Sequence, residues 1–139
     1  MADNNLILQS VFICEKAFFS EDKKLNIICI FDQVFTSQFP TPYVFSLATV
    51  IKGNPKQKVE LKIEGKSSNG ENILQVRDVN VILSDSGSTN LVVNANVVFK
   101  EEGVYTFSIL NTDKKLGEAS LKVFMNKGGQ NASGSQFSN

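Results

Sequence analysis

The chain has 139 residues, 42% of them hydrophobic and 20% charged, with 14 basic and 14 acidic side chains and no histidine. Net neutrality and a lone arginine, Arg77, argue against a phosphate-reading surface, which needs a positive field and guanidinium forks. Without imidazole there is no Ser-His-Asp or Cys-His centre and no histidine-built zinc site, so the expectation is a protein that is not an enzyme and holds no cofactor or metal.

The length suits one domain with a core large enough to need no disulfide or metal. The opening, Met1-Ala2-Asp3-Asn4-Asn5, lacks a basic leader, and the apolar run after it is broken at Gln9 and Ser10. That is unlike a secretory signal, and the expectation is a cytoplasmic protein. No run approaches the roughly 20 apolar residues of a membrane-spanning helix.

Leu6 to Cys14 and Leu25 to Phe31 are apolar on both faces and predict two interior strands, joined by a turn at Ser20-Glu21-Asp22-Lys23. Asp32 then caps a turn, and Gln33 to Pro42 reads as a long connection carrying Val34, Phe35, Phe39 and two prolines. Tyr43 to Ile51 is a third strand, ended by Gly53-Asn54-Pro55. Lys58 to Glu64 alternates apolar and charged residues at every step, which buries one face of a strand and wets the other.

Ile73 to Leu83 is a strand interrupted near Arg77-Asp78. Leu91, Val93, Ala95, Val97 and Phe99 share one face of the next. Tyr105, Phe107 and Ile109 share a face after that, and Leu121 and Val123 do so in the last. Gly, Asn, Asp and Ser punctuate the intervals, and no apolar stripe has a helical period. Many short strands without helices predict an all-β, antiparallel two-sheet sandwich of immunoglobulin-like character with about eight strands. The domain is expected over residues 1–125, with a flexible Gly/Ser/Asn-rich tail over residues 126–139 that includes Phe137.

Three features refine this reading. Gly103-Val104-Tyr105 opens a late strand with a tyrosine placed to fold its hydroxyl onto the preceding loop, as a tyrosine corner does. Cys14 and Cys29 stand nearly symmetrically about the first turn. A regular hairpin makes them cross-strand neighbours that are reduced and buried. Asp85-Ser86-Gly87-Ser88 lacks the alternating ligands of a calcium loop and reads as a turn.

Leu25-Asn26-Ile27-Ile28, then Ile30-Phe31-Asp32-Gln33-Val34-Phe35, Phe39-Pro40 and Gly103-Val104-Tyr105 resemble the pattern of an uncharacterised bacterial family of small β-sandwich proteins. Cys29 stands where that pattern usually has glycine. The resemblance implies a fold and carries over no functional residue.

The expected function is a non-catalytic cytoplasmic module that recognises a protein partner through loops or a sheet edge. The alternative is a ligand-binding or phage-associated structural sandwich, whose partner is a carbohydrate or an assembly component. The candidate binding residues are Phe35 and Phe39 in the long connection, with Lys23, Lys24, Lys114 and Lys115 in two turns. If every connection reverses the chain, alternate loops gather Lys23, Lys56 and Lys115 at one end. That end would then be positive and the other negative.

Overall fold

The computed structural model describes residues 5–126. The expected tail with Phe137 and the Met1–Asn4 start thus lie outside the described residues, apart from Asn126. Nine strands follow in chain order: β1 (Ile7–Phe19), β2 (Leu25–Ile30), β3 (Gln33–Thr36), β4 (Thr41–Lys52), β5 (Lys58–Lys66), β6 (Asn72–Ile82), β7 (Ser88–Phe99), β8 (Gly103–Asn111) and β9 (Lys114–Met125). One sheet has four strands in the order β2-β1-β4-β7, the other five in the order β3-β9-β8-β5-β6. Among the described residues there is no helix.

The alternation written into the sequence sorts the two faces. On β5, Val59, Leu61 and Ile63 are buried, while Glu60 stays in solvent. The rows Ile13–Leu47–Val93 and Val11–Thr49–Leu91 cross β1, β4 and β7 and face inward. Opposite them, Ile63 and Ile109 pair across β5 and β8, and Tyr105 and Leu121 across β8 and β9. Aromatic rings lock the sheets together: Phe45 meets Phe107 edge-on with centroids 5.2 Å apart, and Phe99 lies 4.7 Å from Tyr105. Such pairs add about 0.5–1.5 kcal/mol each beyond area burial. Gly65 is needed beside them, because a Cβ there would lie 2.6 Å from the Phe107 ring.

Strands β1, β4 and β7 against β5, β6, β8 and β9 reproduce the A-B-E and C-C′-F-G layout of an immunoglobulin-like sandwich. The Tyr105 hydroxyl donates a 2.6 Å hydrogen bond to the Glu101 carbonyl four residues upstream, as expected of a tyrosine corner.

Four expectations need correction. The segment Gln33–Pro42 is not a plain connection: it contains β3, which pairs in parallel with β9 from Gln33↔Lys122 to Thr36↔Met125. The sandwich therefore has nine strands, and one of its pairings is parallel. Second, β2 is an edge strand rather than an interior one, with Ile28 and Ile30 exposed.

Third, the hairpin register is shifted by one residue. Cys14 pairs with Ile30 and Lys16 with Ile28. Cys29 falls between those rungs at a positive φ of 59°, a left-handed twist that breaks the regular alternation. As a result Cys14 is buried and Cys29 exposed, both as free thiols.

The fourth correction concerns the loop ends. Because β3 adds a reversal, the β1–β2 turn lies at the upper end with the β5–β6 and β7–β8 turns. The β4–β5, β6–β7 and β8–β9 turns lie at the lower end. Lys56 and Lys115 thus share an end, while Lys23 is at the opposite one, so the expected charge separation does not stand as drawn.

Burial is the main influence pushing the Tyr105 and Tyr43 phenols above their ordinary value; Glu15 adds to it at Tyr43, and at Tyr105 the bond to Glu101 acts the other way. A phenol whose folded-state value is raised contributes stability that is present below its unfolded value, about 10, and lost as pH climbs through the folded one. Unfolding midpoints in urea should therefore fall as pH passes about 10, and a Tyr43→Phe/Tyr105→Phe double variant should show a shallower fall. At neutral pH, Tyr105→Phe alone should cost about 1 kcal/mol, the usual net worth of one hydrogen bond; no loss would mean the corner contributes nothing. For the cysteines, a thiol reagent should find one reactive group in the native protein and two after denaturation, with Cys29→Ser abolishing the native reaction. Burial also pushes the Cys14 thiol up, which keeps it protonated and slow.

Candidate functional site

The chain leaves β2 at Phe31, whose amide donates to the Ile13 carbonyl at 3.0 Å. Its ring packs edge-on against Tyr43 and Phe45, so the end of β2 is pinned to the core. The next residue, Asp32, offers its carbonyl to the Lys122 amide at 2.9 Å, and the Asn126 amide reaches the Thr36 carbonyl at 2.6 Å. Between these two bonds lies the whole of β3.

Strand alternation does the rest. Val34 points inward and is 6% exposed, while Phe35 points outward and is 62% exposed. Opposite it on β9, Phe124 also faces out, and the two rings stack at 5.4 Å with planes 26° apart. On β8, Val104 is paired with Lys122 and extends the apolar surface by one more exposed side chain. Phe35, Phe124 and Val104 form an aromatic corner at the upper end of an otherwise polar sheet face. The contrast is clear one row away, where Ser120 and Thr106 pair, and further on, where Ser108 pairs with Glu118 and Glu64.

An open groove lies at the same end, lined by Phe39, Lys100, Glu101, Glu102 and Met125. Phe39 is partly buried against the core, so of the two phenylalanines named from the sequence only Phe35 is fully presented. Around the groove, Lys100 is bound to Glu71 at 3.0 Å, and Glu102 accepts from the Met125 amide at 2.5 Å. Glu101 takes a 3.4 Å bond from the Asn69 side chain. The rim is thus acidic on balance, with its carboxylates held in place.

The four candidate lysines are not brought together. Lys23 and Lys24 occupy the β1–β2 turn, where Lys24 meets Asp22 at 3.4 Å and Lys23 takes a positive φ of 66°. Lys114 and Lys115 begin β9 at the lower end, where Lys115 is bound to Glu118 at 2.6 Å. All are exposed, and pairs of this kind contribute little. Phe124 and Val104 were missed, although the signal was present: an inward Leu121 and Val123 force Lys122 and Phe124 outward. Among the described residues no three His, Cys, Asp or Glu side chains are grouped to hold a metal.

A family of unknown function (DUF6941) matches residues 9–124. The chain belongs to that family. The matched DUF6941 span runs from inside β1 to inside β9, and so includes β3 and the whole aromatic corner. No curated protein matches the chain in sequence.

Among solved structures, an alkylpurine DNA glycosylase from Pseudomonas fluorescens, AlkC, is similar over 86% of this chain and 30% of its own, with 8% identity and a TM-score of 0.58. A β-glucosidase from Bifidobacterium adolescentis is similar over 96% of this chain and 19% of its own, at 8% identity and a TM-score of 0.50. An immunoglobulin-like protein from Pseudomonas aeruginosa covers 88% of this chain and 99% of its own, at 16% identity and a TM-score of 0.46. At these identities the likeness is one of fold. The chain spans less than a third of the glycosylase and about a fifth of the glucosidase.

The burial contrast along β3 gives a direct test. Phe35→Ser should shift stability by less than about 1 kcal/mol, whereas Val34→Ala should cost about 1–2 kcal/mol through lost burial and a residual cavity. Equal costs, measured by urea denaturation, would show that the Phe35 ring is buried in solution.

Proposed function

We propose that this member of DUF6941 is a non-catalytic immunoglobulin-like module that binds a protein partner at the aromatic corner. One observation carries the reading: Phe35 on β3 and Phe124 on β9 are stacked on each other on the solvent side, at the corner of a sheet face that is otherwise largely polar. A ring held rigid by a second ring loses little freedom on binding, which is why aromatic anchors dominate interfaces. Lone exposed apolar residues need no explanation, but a preorganised stack beside a groove does.

The surroundings narrow the partner's chemistry. Beside the apolar plate lie Glu101 and Glu102 on the groove side and Lys122 between Phe124 and Val104. The best fit is therefore a segment that sets an apolar side chain on the rings, with a basic group toward the groove and an acidic one toward Lys122. Among the described residues β3 is the edge strand of its sheet, which offers a second handle, since an extended segment can add to it as a further strand. Two free thiols, one exposed, suit a reducing compartment, and the proposal puts the module in the cytoplasm.

The test is capture from the cell of origin with the full chain as bait, read by mass spectrometry. The expected result is one or a few proteins retained by the wild type and by a Lys114→Glu/Lys115→Glu control. Retention should drop at least about tenfold with Phe35→Ser or Phe124→Ser, the loss typical of an interface anchor. Undiminished capture by both serine variants would overturn the proposal.

A further inference from the structure

The outer face of the four-stranded sheet has a character of its own. The row Ile30–Cys14–Ser46–Asn94 crosses β2, β1, β4 and β7, and the row Phe12–Ala48–Val92 lies beside it. Further along, Val44 pairs with Asn96 and Pro42 with Val98. The corresponding row on the other sheet's outer face is Glu118–Ser108–Glu64–Gln75, which is the ordinary solvated kind. On the four-stranded sheet the charged side chains are few: Lys16, opposite Ile28 in the row next to Ile30–Cys14, and Lys52, at the end of β4.

We propose that this face is a self-association surface, on which a second copy of the chain packs face to face about a two-fold axis. Three observations select a second copy. The first is charge. An isologous interface sets a patch against itself, so any charge near its centre meets its own kind. Here the centre is neutral, and the β7 polar positions are asparagines, whose amides both donate and accept and can therefore pair with themselves.

The second is relief. Cys14, Ala48 and Ser46 are buried although they belong to the outer face, because they are small and lie below their neighbours. Val44 and Ile30 stand above them at 68% and 58% exposure. A shallow hollow bordered by projecting aliphatic groups can receive the same groups from a two-fold partner.

The third is size. Strands of twelve residues in β4 and β7, with four strands side by side, give a face of roughly 700 Å² at the usual strand spacing and rise. A standard interface takes about 800 Å² from each partner. The surface lies on the opposite side of the sandwich from Phe35 and Phe124, so a dimer formed through it leaves both aromatic corners open.

Sedimentation velocity of the full chain over a wide concentration range tests this. The expected result is a dimer for the wild type and for Thr106→Glu on the other sheet. Val44→Glu, and independently Ile30→Glu, should raise the dimer dissociation constant at least about tenfold. Amide spectra of each variant keep the test clear of misfolding, and two sites on different strands allow for one that fails to fold. A wild type monomeric throughout, a dimer indifferent to both glutamates, or one dissolved by Thr106→Glu alone would each overturn the proposal.

Discussion

The hydrogen bond from the Lys122 amide to the Asp32 carbonyl marks the point where the chain stops belonging to one sheet and joins the other. Everything from Phe31 to Thr41 depends on that crossing. The backbone groups of Asp32 to Thr36 would otherwise lie unpaired against the side of the sandwich, and pairing them in parallel with β9 is what satisfies them. Once the ladder is set, the pleat sends Val34 into the core and Phe35 out to meet Phe124. The same crossing adds a reversal to the chain, which moves the β1–β2 turn to the upper end. One long-range pairing thus fixes an aromatic site, a core contact and the loops that share a pole.

The two sheets divide the labour unequally. The five-stranded sheet has the usual economy of a sandwich, with Val59, Leu61 and Ile63 inward and charged residues outward. The four-stranded sheet is apolar on both sides along much of β1 and β4, and five consecutive residues of β4, Phe45 to Thr49, are buried. Small residues make this possible. Ser46 and Ala48 sit low on the outer side, and Ser46 donates to Asn94 at 2.9 Å, so its hydroxyl is satisfied without a solvent contact.

Much of the fold was legible because its signals are local. The strict alternation of Lys58 to Glu64, the Gly103-Val104-Tyr105 opening and the turn residues all act within a few positions, and each became the element it suggested. The crossing was not legible. β3 is four residues long, and its partner lies near the far end of the chain, so no neighbouring residue announces a parallel pairing. The apolar density of Leu25 to Phe31 pointed to an interior strand, whereas Ile28 and Ile30 lie on an exposed face at the edge. The Cys29 twist is a backbone conformation that no cysteine advertises; the one hint was that the resembled pattern has glycine there, the residue that adopts a positive φ at no cost. For the site, Phe35 was visible as an apolar residue in an odd place, but its partner Phe124 required knowing which way β9 faces.

The positions of the first and last strands bear on how this domain responds to pulling. The chain enters β1 at the lower end, where Ile7 pairs with Lys52, and leaves β9 at the upper end beside Thr36. Tension applied between those points runs along the strands, so the β1–β4, β3–β9 and β8–β9 ladders are loaded in shear. Hydrogen bonds in such a ladder carry the force together, whereas bonds pulled crosswise open one after another. The short parallel patch between Gln33 and Thr36 therefore shares the load on β9 with the longer β8–β9 ladder and ties the crossing segment into it.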